Sequence, residues 1–163
     1  MKSENEILSR LAAYCSSAER CVQDIQKKTQ TAGLSDEAEG RIVAALKKEG
    51  FIDEARYARC FVNDRLQFNH WGRIKIAQEL RRKGIPAAIC RESLEAIDEQ
   101  AYRSGLLDLL AKKQKTLRRK DEHEAFAQLY RFAAGRGFER PAIICCLQQL
   151  LKGIDYDSME WME

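Results

Sequence analysis

Two histidines, His70 and His123, and scattered carboxylates are the residues with which this 163-residue chain would have to run acid–base or metal chemistry, and their spacing argues against it. Neither histidine lies in an H-E-x-x-H arrangement, and no G-x-S-x-G, Walker loop or G-x-G-x-x-G occurs. Glu122-His123-Glu124 has the residue types of a metal fragment, but adjacent side chains on a helix point in different directions, so a solvated polar face is the better reading. Asp53 and Asp98 invite comparison with a catalytic carboxylate pair. Each, however, is followed by a glutamate at the start of an apolar helical pattern, which is the chemistry of a helix cap. No catalytic residue, metal or cofactor is expected.

The cations carry a clearer message. Arg65, Arg73, Lys75, Arg81, Arg82 and Lys83 cluster within one stretch, and residues 112–120 hold Lys112, Lys113, Lys115, Arg118, Arg119 and Lys120 with no acid among them. The net charge of +3 conceals this unevenness: residues 1–50 are neutral, residues 51–120 carry +7 and residues 121–163 carry −4. A helical chain with such a basic middle suits a phosphate backbone or an acidic protein groove. The bland alternative is a set of solvated helix faces. Phe68 and Trp71 stand beside the middle cluster, where an aromatic serves for stacking, for an interface anchor or for ordinary core packing.

The elements that position these cations are helices. In the segment 51–85, FIDEARYARCFVNDRLQFNHWGRIKIAQELRRKGI, Asp53 is an N-cap, and Phe51 and Ile52 are placed to staple the entry onto Tyr57. Tyr57, Ala58, Phe61 and Val62 share one helical face, with Arg65 next along it. A second helix opens near Trp71-Gly72, buries Ile76, Ala77 and Leu80 with Ile74 at the edge, and stops at Gly84 as a C′ glycine.

The same unit recurs. A glycine leads a helix at Gly33, Gly84 and Gly137, at offsets of 51 and 53 residues, followed at once by Leu34, Ile85 and Phe138. Apolar residues then recur at Ala38, Ile89 and Ala142, at Val43, Leu94 and Leu147, and at Leu46, Ile97 and Leu150. The IDEARY at Ile52 also matches IDEQAY at Ile97. Ile7, Leu8, Leu11 and Cys15 supply the first helix of the first unit, Ser16-Ser17-Ala18-Glu19 reads as a capping box for its second, and Ser35 as the cap of its third. The reading is all-α, with three tandem three-helix repeats over 1–50, 51–97 and 98–152 and an acidic tail over 153–163. Three short helices bury little alone, so neighbouring repeats are expected to share cores in an elongated array with room for curvature. The connections at 47–50 and 67–70 are the expected flexible points, and Trp161 is the tail residue suited to docking.

Composition agrees with this class. Charged residues at 33 % and hydrophobic ones at 45 % suit a soluble folded chain, and only two prolines interrupt it. No stretch approaches the about 18 apolar residues of a membrane span, and the N-terminus lacks a signal-peptide core, so a cytoplasmic location without membrane contact is expected. The six cysteines form no C-x-x-C and fall on or beside helices, so they read as small hydrophobes in a reducing compartment.

FIDEARYARCFVNDRL, WGRIKIAQELRRKGI and the recurring glycine-led helices resemble the bacterial regulatory protein RecX family over about residues 8–151. The match is closest across 51–85 and weaker in the third repeat, where Gly135-Arg136-Gly137 departs from it. The resemblance implies three three-helix repeats and a non-enzymatic role: binding the RecA recombinase filament on single-stranded DNA and restraining its ATPase, strand exchange and coprotease activities. A monomer is the expected state, with single-stranded DNA a second candidate partner. Carried over by position, Arg56, Arg65, Arg73, Lys75, Arg82 and Lys83 become candidate partner contacts, joined by Arg81 from the cluster itself. His70 and Trp71 depart from the family's general pattern. The rival readings are a helical DNA-binding module that competes for single strands, and a structural adaptor that touches no nucleic acid.

Overall fold

The computed structural model describes residues 2–118, 121–152 and 154. Among them every regular element is helical: α1 (Glu4–Ser17), α2 (Val22–Thr31), α3 (Asp36–Lys48), α4 (Glu54–Asp64), a π-helical turn (Arg65–Asn69), α5 (Arg73–Arg82), α6 (Ala87–Glu95), α7 (Glu99–Thr116), α8 (Glu122–Gly135) and α9 (Arg140–Leu150). Arg119, Lys120 and the acidic tail with Trp161 lie outside the described residues.

Local chemistry sets most of these limits. Asp53 Oδ1 accepts from the Arg56 N–H at 3.0 Å, Asp98 Oδ1 from Gln100 at 3.3 Å and Ser35 Oγ from Ala38 at 3.2 Å. The two aspartates are therefore helix caps. Gly33, Gly84 and Gly137 all have positive φ, which an L-residue with a Cβ adopts only under strain. Each closes its helix with the same pair of bonds, such as Gly84 N to Arg81 O at 2.9 Å and Ile85 N to Leu80 O at 3.1 Å. One expected cap is corrected. Ser16 and Ser17 do not open α2; their hydroxyls donate back to the Ala12 and Tyr14 carbonyls at 3.0 and 2.8 Å, satisfying acceptors at the end of α1. The box that opens α2 lies further on, where Asp24 Oδ2 accepts from the Cys21 N–H at 3.1 Å.

Contacts divide the chain into two compact units. The first comprises Met1–Asn63 and Gln78–Glu95, and the second Asp64–Ala77 and Ala96–Glu163. The boundary thus passes through the stretch 51–97. In the first unit α1 and α2 both pack on α3, and Ile7, Leu11, Ile25, Ile42, Leu46 and Ile52 form a core. In the second, α7, α8 and α9 pack on one another around Phe126, Leu129, Leu106, Leu110, Ile143 and Leu147. Each such buried side chain contributes about 1.5–3 kcal/mol relative to exposure. One repeated position of the glycine-led helices is buried in all three copies, where it holds Ile42, Ser93 and Cys146. Ser93 breaks the apolar class that Ile42 and Cys146 share, so the apolar pattern passes over this position. Ser93 is accommodated because its hydroxyl donates to the Cys90 carbonyl at 2.9 Å. Cys15, Cys21, Cys90 and Cys146 are buried free thiols, whereas Cys60 is exposed. Burial pushes the Cys146 thiol up to about 11, so it packs as a neutral hydrophobe.

Candidate interaction surface

Within the second unit, the segment between α4 and α5 forms a built surface. The π-helical turn continues directly from α4 and ends at His70, the one non-glycine residue with a left-handed backbone among the described residues, at φ 53°. That conformation is fixed by backbone bonds: the N–H groups of His70 and Trp71 both donate to the Arg65 carbonyl, Trp71 at 3.0 Å. Arg65 Nη1 donates to Asn69 Oδ1 at 3.1 Å, and Arg136 Nη1 to the Asn69 carbonyl at 2.9 Å. Leu66 points into the core of the unit. The turn so held presents Phe68, 71 % exposed, to solvent, and Ile74 follows at 47 %. Trp71 is half-buried beneath two cations, the Arg65 guanidinium at 5.2 Å and the Lys75 ammonium at 4.6 Å from its ring.

The start of α5 explains why no serine or aspartate cap precedes it. Its first N–H groups are satisfied from distant parts of the same unit: Gly72 N donates to Arg136 O at 2.8 Å, Arg73 N to the Tyr102 hydroxyl at 3.0 Å and Ile74 N to Gly137 O at 3.0 Å. Such an approach requires glycines, because a methyl at Gly72 would overlap the Gly137 carbonyl and the Phe138 nitrogen. The Arg73 side chain, only 22 % exposed, donates to Glu99 Oε2 at 2.6 Å and to Glu139 Oε2 at 3.0 Å, with its guanidinium 4.0 Å above the Tyr102 ring. The Tyr102 hydroxyl in turn hydrogen-bonds Glu139. Burial, and then that carboxylate, push the Tyr102 phenol well above its ordinary range. Hydrogen bonds from Arg103 and Arg73 hold the Glu99 carboxyl below its usual value.

The seven cations singled out from the sequence therefore separate by environment. Arg65, Arg73 and Lys75 belong to the second unit, and Arg56, Arg81, Arg82 and Lys83 to the first. Arg73 is built into its unit. Arg56 is similarly committed, with Nε 2.6 Å from Glu19 Oε1 and Nη2 donating to the Gly50 carbonyl at 3.1 Å. Lys83 reaches Asp24 at 3.3 Å. Arg82 is 77 % exposed in its side chain with a surface pair to Glu79, and Arg81 is exposed. Of the 112–120 run, Lys113 lies 5.1 Å above Phe132, while Lys112 and Lys115 are exposed. The supports that sequence reasoning missed are Tyr102, Glu139, Asn69 and Arg136. Only the Gly135-Arg136-Gly137 departure hinted at any of them.

Among the described residues no group of three His, Cys, Asp or Glu residues is placed to hold a metal, and no helix is long and apolar enough to cross a membrane. A family model described as RecX, second three-helix domain, matches residues 53–94, which contain α4, the π-helical turn and α5. A regulatory protein RecX of Prosthecochloris aestuarii is 31 % identical over 144 residues, covering 88 % of this chain and 93 % of that protein. A regulatory protein RecX of Clostridium botulinum strain Alaska E43 is 30 % identical over 118 residues, covering 71 % of this chain; the chain matches only 55 % of that longer relative. The fold is similar to the crystal structure of RecX from Lactobacillus salivarius, with a TM-score of 0.84 over 90 % of this chain and 96 % of that one at 17 % identity. A second crystal structure of regulatory protein RecX gives 0.78 over 91 % and 72 % at 22 % identity, so these two likenesses speak to the fold alone. Identity sustained along nearly the whole of both the Prosthecochloris protein and this chain places the chain in the RecX family of regulatory proteins.

Proposed function

We propose that this chain is a negative regulator of the RecA recombinase: it binds the RecA filament on single-stranded DNA and restrains ATPase, strand exchange and coprotease activity. It acts as a cytoplasmic monomer and without catalysis. Family membership supports the regulatory role. The observation that carries the reading onto named residues is Phe68, a large apolar side chain 71 % exposed on a turn pinned by backbone bonds and by Arg136. An exposed aromatic has only two side-chain torsions to order on docking, and aromatics are enriched at interface cores. The cations around it favour a protein partner over bare DNA. Arg73 is committed to two carboxylates, and Arg65 and Lys75 face Trp71, so these three cations are already engaged within the unit rather than held out for phosphates.

The three repeats, 1–50, 51–97 and 98–152, supply several modest contacts whose effects multiply through effective concentration. Inhibition follows when the chain binds the non-cycling filament state more tightly than the cycling one. The competing reading, sequestration of single strands by a helical DNA-binding module, draws on the exposed Arg81, Arg82, Lys112 and Lys115. Fluorescence anisotropy on labelled single-stranded DNA, bare and coated with RecA, at rising salt separates the two. Tight binding to the coated strand with weak, steeply salt-dependent binding to the bare strand is expected. Equal affinity for both would contradict filament recognition.

A further inference from the structure

The first unit carries a cavity that this function does not use. It lies between α1 and the turn joining α2 to α3, has a volume of about 550 Å³, and is open along one side. Its apolar lining is Ile7, Leu11, Tyr14 and Leu34. Its charged lining is Lys2, Arg10 and Lys28, with no carboxylate among the described lining residues. This is a local concentration of charge, because residues 1–50 are neutral as a whole. Of the acids in α1 to α3 and their connections, Glu4 pairs with Arg41, Glu19 with Arg56 and Asp24 with Lys83, Glu39 accepts from the Thr29 hydroxyl and Glu6 from the Ser3 N–H, and the exposed Asp36 and Glu37 do not line the cavity. Among the described residues Lys2, Arg10 and Lys28 have no ion pair.

We infer that this cavity is a docking site for an acidic peptide segment of another protein, one carrying a large apolar side chain between carboxylates. The apolar side chain enters the floor formed by Ile7, Leu11 and Leu34, and the flanking carboxylates meet Lys2, Arg10 and Lys28. Charge complementarity decides the sign of the partner: three like charges around one mouth repel each other until an anion sits among them. Shape decides its class. The volume falls within the range of ligand pockets and exceeds one aromatic side chain, while the open side lets a chain enter and leave. A nucleic acid fits less well. The Tyr14 ring that would stack a base already has the Arg20 guanidinium 3.7 Å and the Lys28 ammonium 4.9 Å from its centre. This inference is independent of the RecA reading, since it rests on residues of α1, α2 and the turn alone.

The test uses the full chain and a fluorescein-labelled peptide of sequence Asp-Glu-Trp-Glu-Asp, with Asp-Glu-Gly-Glu-Asp, Lys-Lys-Trp-Lys-Lys and a short oligothymidylate as comparators. Saturable anisotropy with the acidic tryptophan peptide is expected. It should weaken about tenfold or more for Arg10→Glu/Lys28→Glu and by a similar factor when tryptophan is replaced by glycine. Both cations are exposed, so the variant should keep its thermal melt; Arg10→Ala/Lys28→Ala, expected to bind less tightly in proportion, serves if it does not. No saturation by about 1 mM peptide, binding indifferent to both double variants, or preferential binding of the oligothymidylate would overturn the assignment.

Discussion

Gly72 and Gly137 meet backbone to backbone: the first turn of α5 donates its Ile74 N–H to the Gly137 carbonyl, and neither glycine has room for a methyl group. Gly72→Ala should therefore destabilise the chain by about 3 kcal/mol, at the upper end of overpacking costs. Gly40, inside α3 with open space where a methyl group would sit, is the opposite case. Gly40→Ala should stabilise by about 0.5–1 kcal/mol. Urea melts of both variants check the pair, and a neutral Gly72→Ala would show that the close approach is not required.

Arg73 and Lys75 are two residues apart and should respond differently to charge reversal. Arg73→Glu leaves Glu99 and Glu139 beside a third carboxylate and is expected to cost about 2 kcal/mol or more. Lys75→Glu removes only a cation above Trp71, so stability should change by about 0.5 kcal/mol or less while inhibition of the recombinase weakens. Thermal melts alongside ATPase assays separate fold from contact.

Phe68→Ser removes a side chain that the folded state leaves 71 % exposed. Stability should shift by about 0.5 kcal/mol or less, yet affinity for the RecA-coated strand should fall about tenfold or more if Phe68 is an anchor. Unchanged affinity in an equally stable variant would remove Phe68 from the contact surface.

Acid should weaken the first unit through Asp24. Burial pushes this carboxyl up from its ordinary 3.8, but hydrogen bonds from the Cys21 backbone and thiol, and the Lys83 ammonium, outweigh that and hold it lower. A depressed carboxyl pKa contributes stability that is complete above the unfolded-state value and is lost as pH falls through the folded-state value. The melting temperature should thus decline below about pH 4, and Asp24→Asn should flatten that decline. Identical slopes for the two proteins would show that Asp24 is not linked to folding.

Much of this architecture is legible in the chain itself because it is decided within one helical turn. The C′ glycines, the caps at Ser35, Asp53 and Asp98, and the stripes through Ile7 and Leu11 or Ile76 and Leu80 depend on neighbours five residues away or fewer. The start of α5 was legible only as a position, since the groups that cap it come from Tyr102, Arg136 and Gly137. For the same reason the basic cluster read as one surface, whereas Arg56, Arg73 and Lys83 turn out to answer carboxylates 37, 26 and 59 residues away. Ser16 and Ser17 show the converse problem. A serine before a glutamate signals a helix start, but the same hydroxyls serve equally well as acceptors' partners at a helix end.

The central claim is tested most directly by the single-stranded-DNA-dependent ATPase of the cognate RecA, measured while this protein is added up to and beyond stoichiometric amounts. The account expects inhibition that saturates near the filament's binding capacity, persists when excess DNA is added, and is weakened by Phe68→Ser and Lys75→Glu. Undiminished ATPase at stoichiometric levels would contradict it, and inhibition abolished simply by more DNA would replace filament recognition with competition for the strand.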